Sequence, residues 1–302
     1  LRERVIATRL QVFVGVDAPD FNLALEEQLR GQGVRTVHFV SPSIWAWRGE
    51  RIKQIARAVD RMLLVFPFEQ KIYDDAGIPA SYVGHPLASM IPMIPDSLAA
   101  RRRLGVQTDG SLIAVLPGSR AGEVHHIGPM FIAAMAQLAS EQPSIRFVLP
   151  VADPGLRADI ERMMAAYSNL SAHVNIVNGR SHDCLEAADV VLVASGTATL
   201  EAALFKRPMV ISYKMPPVSA WIMRRKGSIP YIGLPNILAG ELVVPELVQE
   251  LATPAALARA VLDWLHDPAR RERTAARFAD MHHSLKRDTA RLVADAIFEV
   301  AQ

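Results

Sequence analysis

Short runs of aliphatic and β-branched residues alternate with longer segments of helical periodicity along most of the chain. In the first part, residues 11–16, 35–40 and 61–65 are expected strands, and residues 22–32 and 50–58 are expected helices. A strand that is followed by a helix and a second strand forms a parallel pair, and helices cover both faces of such a sheet. The alternation therefore predicts an α/β protein with parallel sheets.

The same alternation returns after residue 108, where a domain boundary is expected. Further strands are expected at residues 112–116, 146–151, 174–177, 190–193 and 209–212, with helices at 127–140, 155–167, 181–187 and 197–205. This pattern fits a doubly wound domain, which binds its ligand outside the carboxyl ends of the strands. From residue 254 the pattern is helical. We expect domains at 1–107 and 108–265, followed by helices at 266–302.

Composition excludes several classes of protein. The 302 residues, half of them hydrophobic, suffice for two domains. A formal charge of +2 argues against a nucleic-acid partner that depends on a positive field. The single cysteine, Cys184, cannot form an intramolecular disulfide, which favours the cytosol, and no apolar run is long enough to span a membrane. The chain begins at Leu1, in the middle of an element, so we expect a missing N-terminal part.

The loop Pro117-Gly-Ser-Arg120 joins an expected strand to an expected helix. Unpaired backbone N–H groups and the positive end of a helix dipole make such a junction an anion site. Arg120 adds a planar charged group that suits a phosphate. A simple turn with a helix cap explains the same residues equally well.

A second junction of this kind contains Ser195, Gly196 and Thr197, with Glu201 one turn into the helix. Two such loops at one crevice could hold a diphosphate, and Glu201 could accept hydrogen bonds from a ribose. The alternative for Glu201 is a capping role. A serine hydrolase is disfavoured because the G-x-S-x-G pattern is absent, and neither a Walker motif nor G-x-G-x-x-G after a strand is present.

Two aspartates, Asp17 and Asp20, follow the first expected strand. A partly screened carboxylate at a strand end is a plausible general base. Asp20 stands where a helix cap is needed, so we assign it a structural role and regard Asp17 as the catalytic candidate.

A tryptophan pair and three cations mark two further segments. Trp45 and Trp47 beside Arg48 could form the wall of a sugar or acyl-chain site, although core packing is the simpler explanation. Residues 218–226 place Trp221 beside basic residues, as in a membrane-surface patch or a solvated helix end. The histidines and carboxylates show no metal-binding spacing, so no metal is expected.

Together these motifs resemble those of one family. They are Val14-Gly-Val-Asp-Ala-Pro-Asp-Phe-Asn22, Val40-Ser-Pro-Ser-Ile-Trp-Ala-Trp-Arg48, Val83-Gly-His-Pro86, Leu116-Pro-Gly-Ser-Arg120 with Glu123, Ala194-Ser-Gly-Thr-Ala-Thr-Leu-Glu201 and Gly233-Leu-Pro-Asn-Ile-Leu-Ala-Gly240. Their order and spacing are similar to those of the lipid-A-disaccharide synthases, glycosyltransferase family 19. The similarity runs from about residue 11 to the last helices.

The resemblance implies a GT-B architecture of two Rossmann-like doubly wound domains, the N-terminal one incomplete, with the last helices packing back on it. It also implies an inverting transfer that joins UDP-2,3-diacylglucosamine to 2,3-diacylglucosamine 1-phosphate (lipid X), without a metal or other cofactor. Such an enzyme acts in the cytoplasm, peripherally on the inner face of the cytoplasmic membrane of Gram-negative bacteria. A homodimer is compatible with the sequence.

By the same resemblance, roles can be assigned to matching residues. Asp17 would be the base, and Arg120 with the backbone of Gly118 and Ser119 would stabilise the departing diphosphate. The UDP would also contact Ser195, Gly196, Thr197, Glu201 and Asn236, whereas Trp45, Trp47 and Arg48 would lie on the acceptor side.

One departure from the family pattern is the absence of its opening strand and its Gly-Glu-Ala-Ser-Gly-Asp loop. An incomplete N-terminal sheet would expose edges and apolar faces, so we expect poor solubility or partial disorder and impaired activity in this chain by itself. Two alternatives remain open at this stage. One is a GT-B-like UDP-N-acetylglucosamine 2-epimerase, and the other is a non-catalytic fragment that binds UDP or mediates dimerisation.

Overall fold

The computed structural model describes residues 2–8, 10–46, 48–215 and 230–302. Its first elements are α1 (Arg2–Ala7), β1 (Val12–Val16), α2 (Pro19–Arg30), β2 (Arg35–Phe39), a 3₁₀ turn (Gly49–Arg51), α3 (Ile52–Ala58), β3 (Arg61–Leu64), α4 (Glu69–Asp75), β4 (Ala80–Tyr82), α5 (Pro86–Met90) and α6 (Ser97–Leu104). There follow β5 (Leu112–Leu116), α7 (Ala121–Glu141), β6 (Arg146–Val151), α8 (Pro154–Met164), β7 (Val174–Asn178), α9 (Ser181–Ala187), β8 (Val190–Ala194), α10 (Thr197–Leu204) and β9 (Met209–Tyr213). The last are α11 (Leu234–Ala239), β10 (Glu246–Val248), a 3₁₀ turn (Gln249–Leu251), α12 (Pro254–His266), α13 (Pro268–Leu285) and α14 (Thr289–Ala301).

The described residues form two compact units. The first contains residues 2–90, Pro230 and 283–302, and the second contains residues 91–215 and 231–282. Helix α6, which precedes the expected boundary at residue 108, therefore belongs to the second unit. Its Arg101 is 5% exposed and donates hydrogen bonds to the Ala187 carbonyl at 3.0 Å and to the Asp189 carboxylate at 2.8 Å.

The first unit contains a parallel sheet with the strand order β1-β2-β3-β4 among its described residues. Successive side chains of a strand point to opposite faces. On one face, Met62 and Leu64 of β3 pack in a cluster with Leu23 of α2. On the other face, Leu63 packs with Ala296 of α14, the final helix. Helices from both ends of the chain thus cover this sheet.

The second unit contains a parallel sheet with the order β10-β9-β8-β5-β6-β7. The chain progresses outward from β5 to β7 on one side and from β8 to β10 on the other. The order in which strands are added therefore reverses between β5 and β8, which is the topological switch point of a doubly wound fold. Helix α12 covers part of it, and the fully buried Trp264 donates its indole N–H to the Met209 carbonyl at 3.0 Å.

These two sheets confirm the predicted α/β class and parallel pairing. The expected strands and most expected helices appear within a few residues, but α7 begins at Ala121, six residues before the predicted start, and continues through Pro129. The sequence pattern missed β4 and β10, each three residues long. Cys184 is fully buried, as expected of a packing residue. Among the helices in the described residues, none combines the length and the hydropathy that crossing a membrane requires.

We expect Arg101→Ala to lower the free energy of unfolding by about 2–4 kcal/mol, because it removes the buried guanidinium and its hydrogen bonds to the Ala187 carbonyl and the Asp189 carboxylate. Urea denaturation followed by circular dichroism measures this change. Arg102→Ala is the matched control, since Arg102 is exposed on the same helix, and its effect should stay within about 0.5 kcal/mol. Equal effects of the two substitutions would contradict the anchoring role of Arg101.

Candidate functional site

In the second unit, the two glycine-containing loops lie at the switch point. Strands β5 and β8 pair in parallel, so Pro117–Arg120 and Ser195–Gly196 leave the same edge of the sheet side by side. This is the edge at which doubly wound folds bind ligands. The helices that follow, α7 and α10, begin there and present the positive ends of their dipoles.

The first loop is held by a carboxylate of the protein itself. Glu123 accepts hydrogen bonds from the backbone N–H groups of Ser119 at 3.0 Å and Arg120 at 3.4 Å. Gly118 has a φ of +115°, and a Cβ at this position would lie 2.7 Å from the Glu123 side chain. The Ser119 N–H group is thus bonded within the protein itself, and the glycine makes room for Glu123.

Arg120 is the exposed cation of this loop. Its side chain is 84% exposed and lies 3.2 Å from the Glu123 carboxylate. An ion pair at such exposure contributes little to stability. The guanidinium can therefore exchange this partner for a more highly charged anion at low cost.

In the second loop, Ser195 and Glu201 already have partners within the unit. The Ser195 hydroxyl donates to the Ile232 carbonyl at 2.8 Å, whereas Thr197 is exposed. Glu201 lies 3.7 Å from His182, and the interaction with this carboxylate raises the pKa of His182 above the ordinary value. Glu201 is thus paired with His182, and the capping alternative is not needed to explain its position.

Asn236 is predicted to contact UDP, but the structure assigns its side chain to the fold. It is fully buried and donates to the Val244 carbonyl at 2.9 Å and to the Glu246 carboxylate at 2.8 Å. Its oxygen accepts from the N–H groups of Val243 and Val244 at 2.9 and 3.0 Å. Both donors and both acceptor sites are used, so the carboxamide has no capacity left for a ligand.

In the first unit, Asp17 follows β1 at the carboxyl edge of the sheet. Both Asp17 and Ala18 are in the left-handed region, with φ of 48° and 44°. Asp17 is exposed, and its carboxylate has no hydrogen bond or ion pair with the described residues. Its neighbours Val16 and Phe21 are 57% and 61% exposed. An acidic group without a partner among the described residues thus occurs in a segment that also exposes two apolar side chains.

Asp20 does not cap α2, contrary to the sequence expectation. The helix begins at Pro19 after Ala18, which has no side-chain cap, and Asp20 lies inside the first turn. Its carboxylate forms ion pairs with Arg51 and, at 3.5 Å, with Arg48. Arg48, a predicted acceptor-side residue, is thus connected to the segment that contains Asp17.

Trp45, also predicted on the acceptor side, forms a hydrogen bond with Glu69. Its indole N–H donates to Glu69 at 3.1 Å, and its ring packs edge-on against Phe68 with centroids 5.3 Å apart. Trp47 and the segment 218–226 lie outside the described residues. Trp45 therefore has a defined position at the carboxyl edge of the sheet, near the end of β2.

Glu69 is the residue of this site that sequence reasoning missed. It begins α4 just after β3, is 1% exposed, and accepts the Phe66 N–H at 3.1 Å. Burial raises the pKa of Glu69 to about 7, and the hydrogen bonds from Phe66 and Trp45 oppose this shift. Its place in Phe66-Pro-Phe-Glu69, after an apolar strand, is the signal that could have identified it.

Over the described ranges, no group of three or more His, Cys, Asp or Glu side chains is arranged to hold a metal ion. At the carboxyl edges of their own sheets, the first unit exposes the acidic side chain of Asp17, and the second exposes Arg120 beside two helix N-termini. A carboxylate that takes a proton and an arginine that stabilises a phosphate are the parts of a group transfer from a phosphorylated donor.

Comparison with known proteins distinguishes a glycosyltransferase from the epimerase and the non-catalytic fragment. A family model for lipid-A-disaccharide synthetase matches residues 1–298. The chain belongs to the lipid-A-disaccharide synthase family. The synthases of Paraburkholderia phytofirmans and Cupriavidus pinatubonensis are 53% and 54% identical to it, over 100% and 99% of this chain and 77% and 74% of theirs. It is thus a glycosyltransferase of lipid A biosynthesis.

Solved structures with little sequence similarity share the fold. MurG of Acinetobacter baumannii is 14% identical with a TM-score of 0.60, over 99% of this chain and 76% of that chain. UDP-GlcNAc 2-epimerase of Neisseria meningitidis is 10% identical with a TM-score of 0.65, over 99% and 79%. This similarity confirms the GT-B fold, which synthases share with epimerases, so the family membership and not the fold distinguishes the two activities.

The raised pKa of Glu69 predicts a pH-dependent stability. Between about pH 4.5 and 7 the folded protein retains a proton that the unfolded chain has lost, so stability falls as the pH rises through this window. Glu69→Gln lacks this titrating group. The unfolding free energy of the variant minus that of wild type should therefore increase by about 1–3 kcal/mol from pH 4.5 to pH 7.5.

Urea denaturation at several pH values measures this difference. Glu50→Gln is the control, because Glu50 is exposed. A constant difference between Glu69→Gln and wild type across the window would contradict a buried carboxyl with a raised pKa.

Proposed function

We propose that this glycosyltransferase joins UDP-2,3-diacylglucosamine to 2,3-diacylglucosamine 1-phosphate, with inversion at the donor C1, and releases UDP. The observation that supports this most is the match of the family over nearly the whole chain. The site adds a second line of support, because a carboxylate without a partner among the described residues and an exposed arginine are available at the carboxyl edges of two parallel sheets.

On the donor side, Arg120 is the proposed stabiliser of the leaving group. As the bond between the donor C1 and the UDP oxygen breaks, its electron pair passes to the β-phosphate. The N-termini of α7 and α10 favour negative charge at the switch point. Arg120 then exchanges its ion pair with Glu123 for an ion pair with the diphosphate. Gly118, Ser119, Ser195, Gly196, Thr197 and Glu201 remain proposed UDP contacts, and the proposal includes no metal ion or other cofactor.

On the acceptor side, Asp17 is the proposed general base. The acceptor 6-hydroxyl oxygen attacks C1, and its proton passes to the Asp17 carboxylate, so a single displacement completes the transfer. The exposed position of Asp17 and its lack of a structural partner among the described residues support this role. No covalent enzyme intermediate is required.

The acceptor is a lipid, and the surroundings of Asp17 suit one. Val16 and Phe21, which lie within four residues of this aspartate in the sequence, expose large apolar side chains. We place Trp45, Trp47 and Arg48 on the same acceptor side, with Arg48 as a cation for the acceptor phosphate. Since both substrates carry acyl chains, we infer that the enzyme works at the inner surface of the cytoplasmic membrane.

The direct test is incubation of the purified enzyme with both diacylglucosamine substrates. Disaccharide and UDP in equal amounts are expected, measured by mass spectrometry and a coupled UDP assay. UDP-N-acetylglucosamine in a parallel reaction tests for epimerisation. Epimerised sugar without any disaccharide would overturn the proposal in favour of an epimerase, and UDP binding without either product would favour a non-catalytic module.

We expect Asp17→Asn to lower kcat about 10²–10⁴-fold, because the amide cannot accept the acceptor proton. The KM for the UDP-sugar and the unfolding midpoint should stay close to wild type, since the carboxylate has no partner within the described residues. Asp75→Asn is a control on an exposed aspartate of α4. Wild-type turnover of Asp17→Asn would exclude this residue as the base.

We expect Arg120→Ala to lower kcat about 10²–10³-fold, while the affinity for UDP falls less, because the charge on the diphosphate increases towards the transition state. Steady-state kinetics and calorimetric UDP titration measure the two effects. Arg162→Ala is the matched control, since Arg162 is an exposed arginine in a similar ion pair with Asp159. A loss of UDP affinity as large as the loss of kcat would show that Arg120 binds UDP equally in the ground state and does not act specifically on the transition state.

A further inference from the structure

The turn after β1 has a backbone conformation that needs support. Asp17 and Ala18 both have left-handed φ values, which residues with a Cβ adopt rarely. Such conformations persist where the surrounding structure holds them, and they concentrate at functional sites. The conformation of Asp17 therefore requires support from neighbouring groups.

Three hydrogen bonds fix the backbone on both sides of the Asp17 side chain. The Asp17 N–H group donates to the Phe39 carbonyl of β2 at 2.9 Å. The carboxamide of Asn22 donates to the Asp17 carbonyl at 2.7 Å and to the Val16 carbonyl at 3.1 Å. Asn22 is 9% exposed, so water competes little for these bonds.

Helix capping does not explain Asn22. It is the fourth residue of α2, whereas a cap precedes the first turn and accepts hydrogen bonds from backbone N–H groups. Asn22 instead donates backward to the two carbonyls that lead into the helix. Its bonds therefore act on the turn that contains Asp17.

A buried pair one turn further along α2 joins this helix to the sheet. Glu26 and His38 are both fully buried, with His38 Nδ1 at 2.8 and 3.0 Å from the two carboxylate oxygens. His38 is the register partner of Gly15 in β1. A Cβ at Gly15 would lie 1.9 Å from a Glu26 oxygen, so only glycine lets the helix approach the strand this closely.

We propose that Asn22 is a positioning residue for the glycosyl transfer. Its carboxamide sets the backbone of Asp17 and so directs the Asp17 carboxylate towards the hydroxyl of the acceptor. Asn22 acts only through Asp17, so the inference rests on the proposed role of Asp17 as the base. Asn22 acts on the reacting atoms through the backbone of Asp17, so it needs no contact with the substrate.

The test is a double-mutant cycle of Asn22→Ala and Asp17→Asn, measured as turnover of UDP-2,3-diacylglucosamine with the diacylglucosamine 1-phosphate acceptor. In the wild-type background, Asn22→Ala should lower kcat at least about tenfold and leave the KM for the UDP-sugar within about twofold. In the Asp17→Asn background, the same change should lower the residual kcat less than about twofold, because residues that act as a unit are not additive.

The control is Gln28→Ala, an exposed residue of the same helix, which should retain wild-type kcat in both backgrounds. Thermal unfolding and UDP binding show whether each variant is folded. If Asn22→Ala does not fold, Asn22→Asp gives the same test, because it keeps the volume and removes the donor.

Three results would overturn the inference. An Asn22 variant with wild-type kcat would exclude positioning by this residue. Equal losses in both backgrounds, together with a lower unfolding midpoint, would show a purely structural role. Wild-type turnover of Asp17→Asn would refute the proposed base itself, and is distinguished from the first two results because it appears in the single Asp17 variant.

Discussion

Parallel strand pairing is the constraint on which the rest of this structure depends. Because each parallel connection needs a crossover, every strand of a sheet delivers its following loop to the same edge of that sheet. Residues far apart in sequence, such as Asp17, Trp45 and Glu69, thereby reach one edge of the first sheet. The loops that begin at Pro117 and Ser195 reach one edge of the second sheet.

Carboxylates of the protein organise these loops. Glu123 binds the N–H groups before α7, Glu246 binds those of Ile232 and Gly233, and Glu69 binds that of Phe66. A buried or half-buried loop cannot leave its backbone donors without partners, and a carboxylate satisfies two at once. The loops are therefore largely organised before substrate arrives, and a phosphate at α7 must compete with Glu123.

The acidic residues divide into structural and available groups according to their burial. Glu26 is fully buried and paired with His38, whereas Asp17 is exposed and has no partner within the described residues. A buried carboxylate needs its partner because the charge has lost water, so it cannot be exchanged for a substrate group. Asp17 keeps its hydration and its capacity to take a proton, which is consistent with its proposed role.

The sequence by itself determined the α/β class, the parallel strands, the positions of the loops after β1, β5 and β8, and the family motifs. Periodicity and turn residues report local structure, so these predictions needed no tertiary contact. Only the tertiary structure decided the side-chain partners. Asn236 forms hydrogen bonds with Val244 and Glu246, Glu123 accepts a backbone N–H group of the loop after Gly118, and Glu69 accepts the indole N–H of Trp45. Side-chain partners depend on which elements pack together, and the short strands β4 and β10 form only because a neighbouring strand pairs with them.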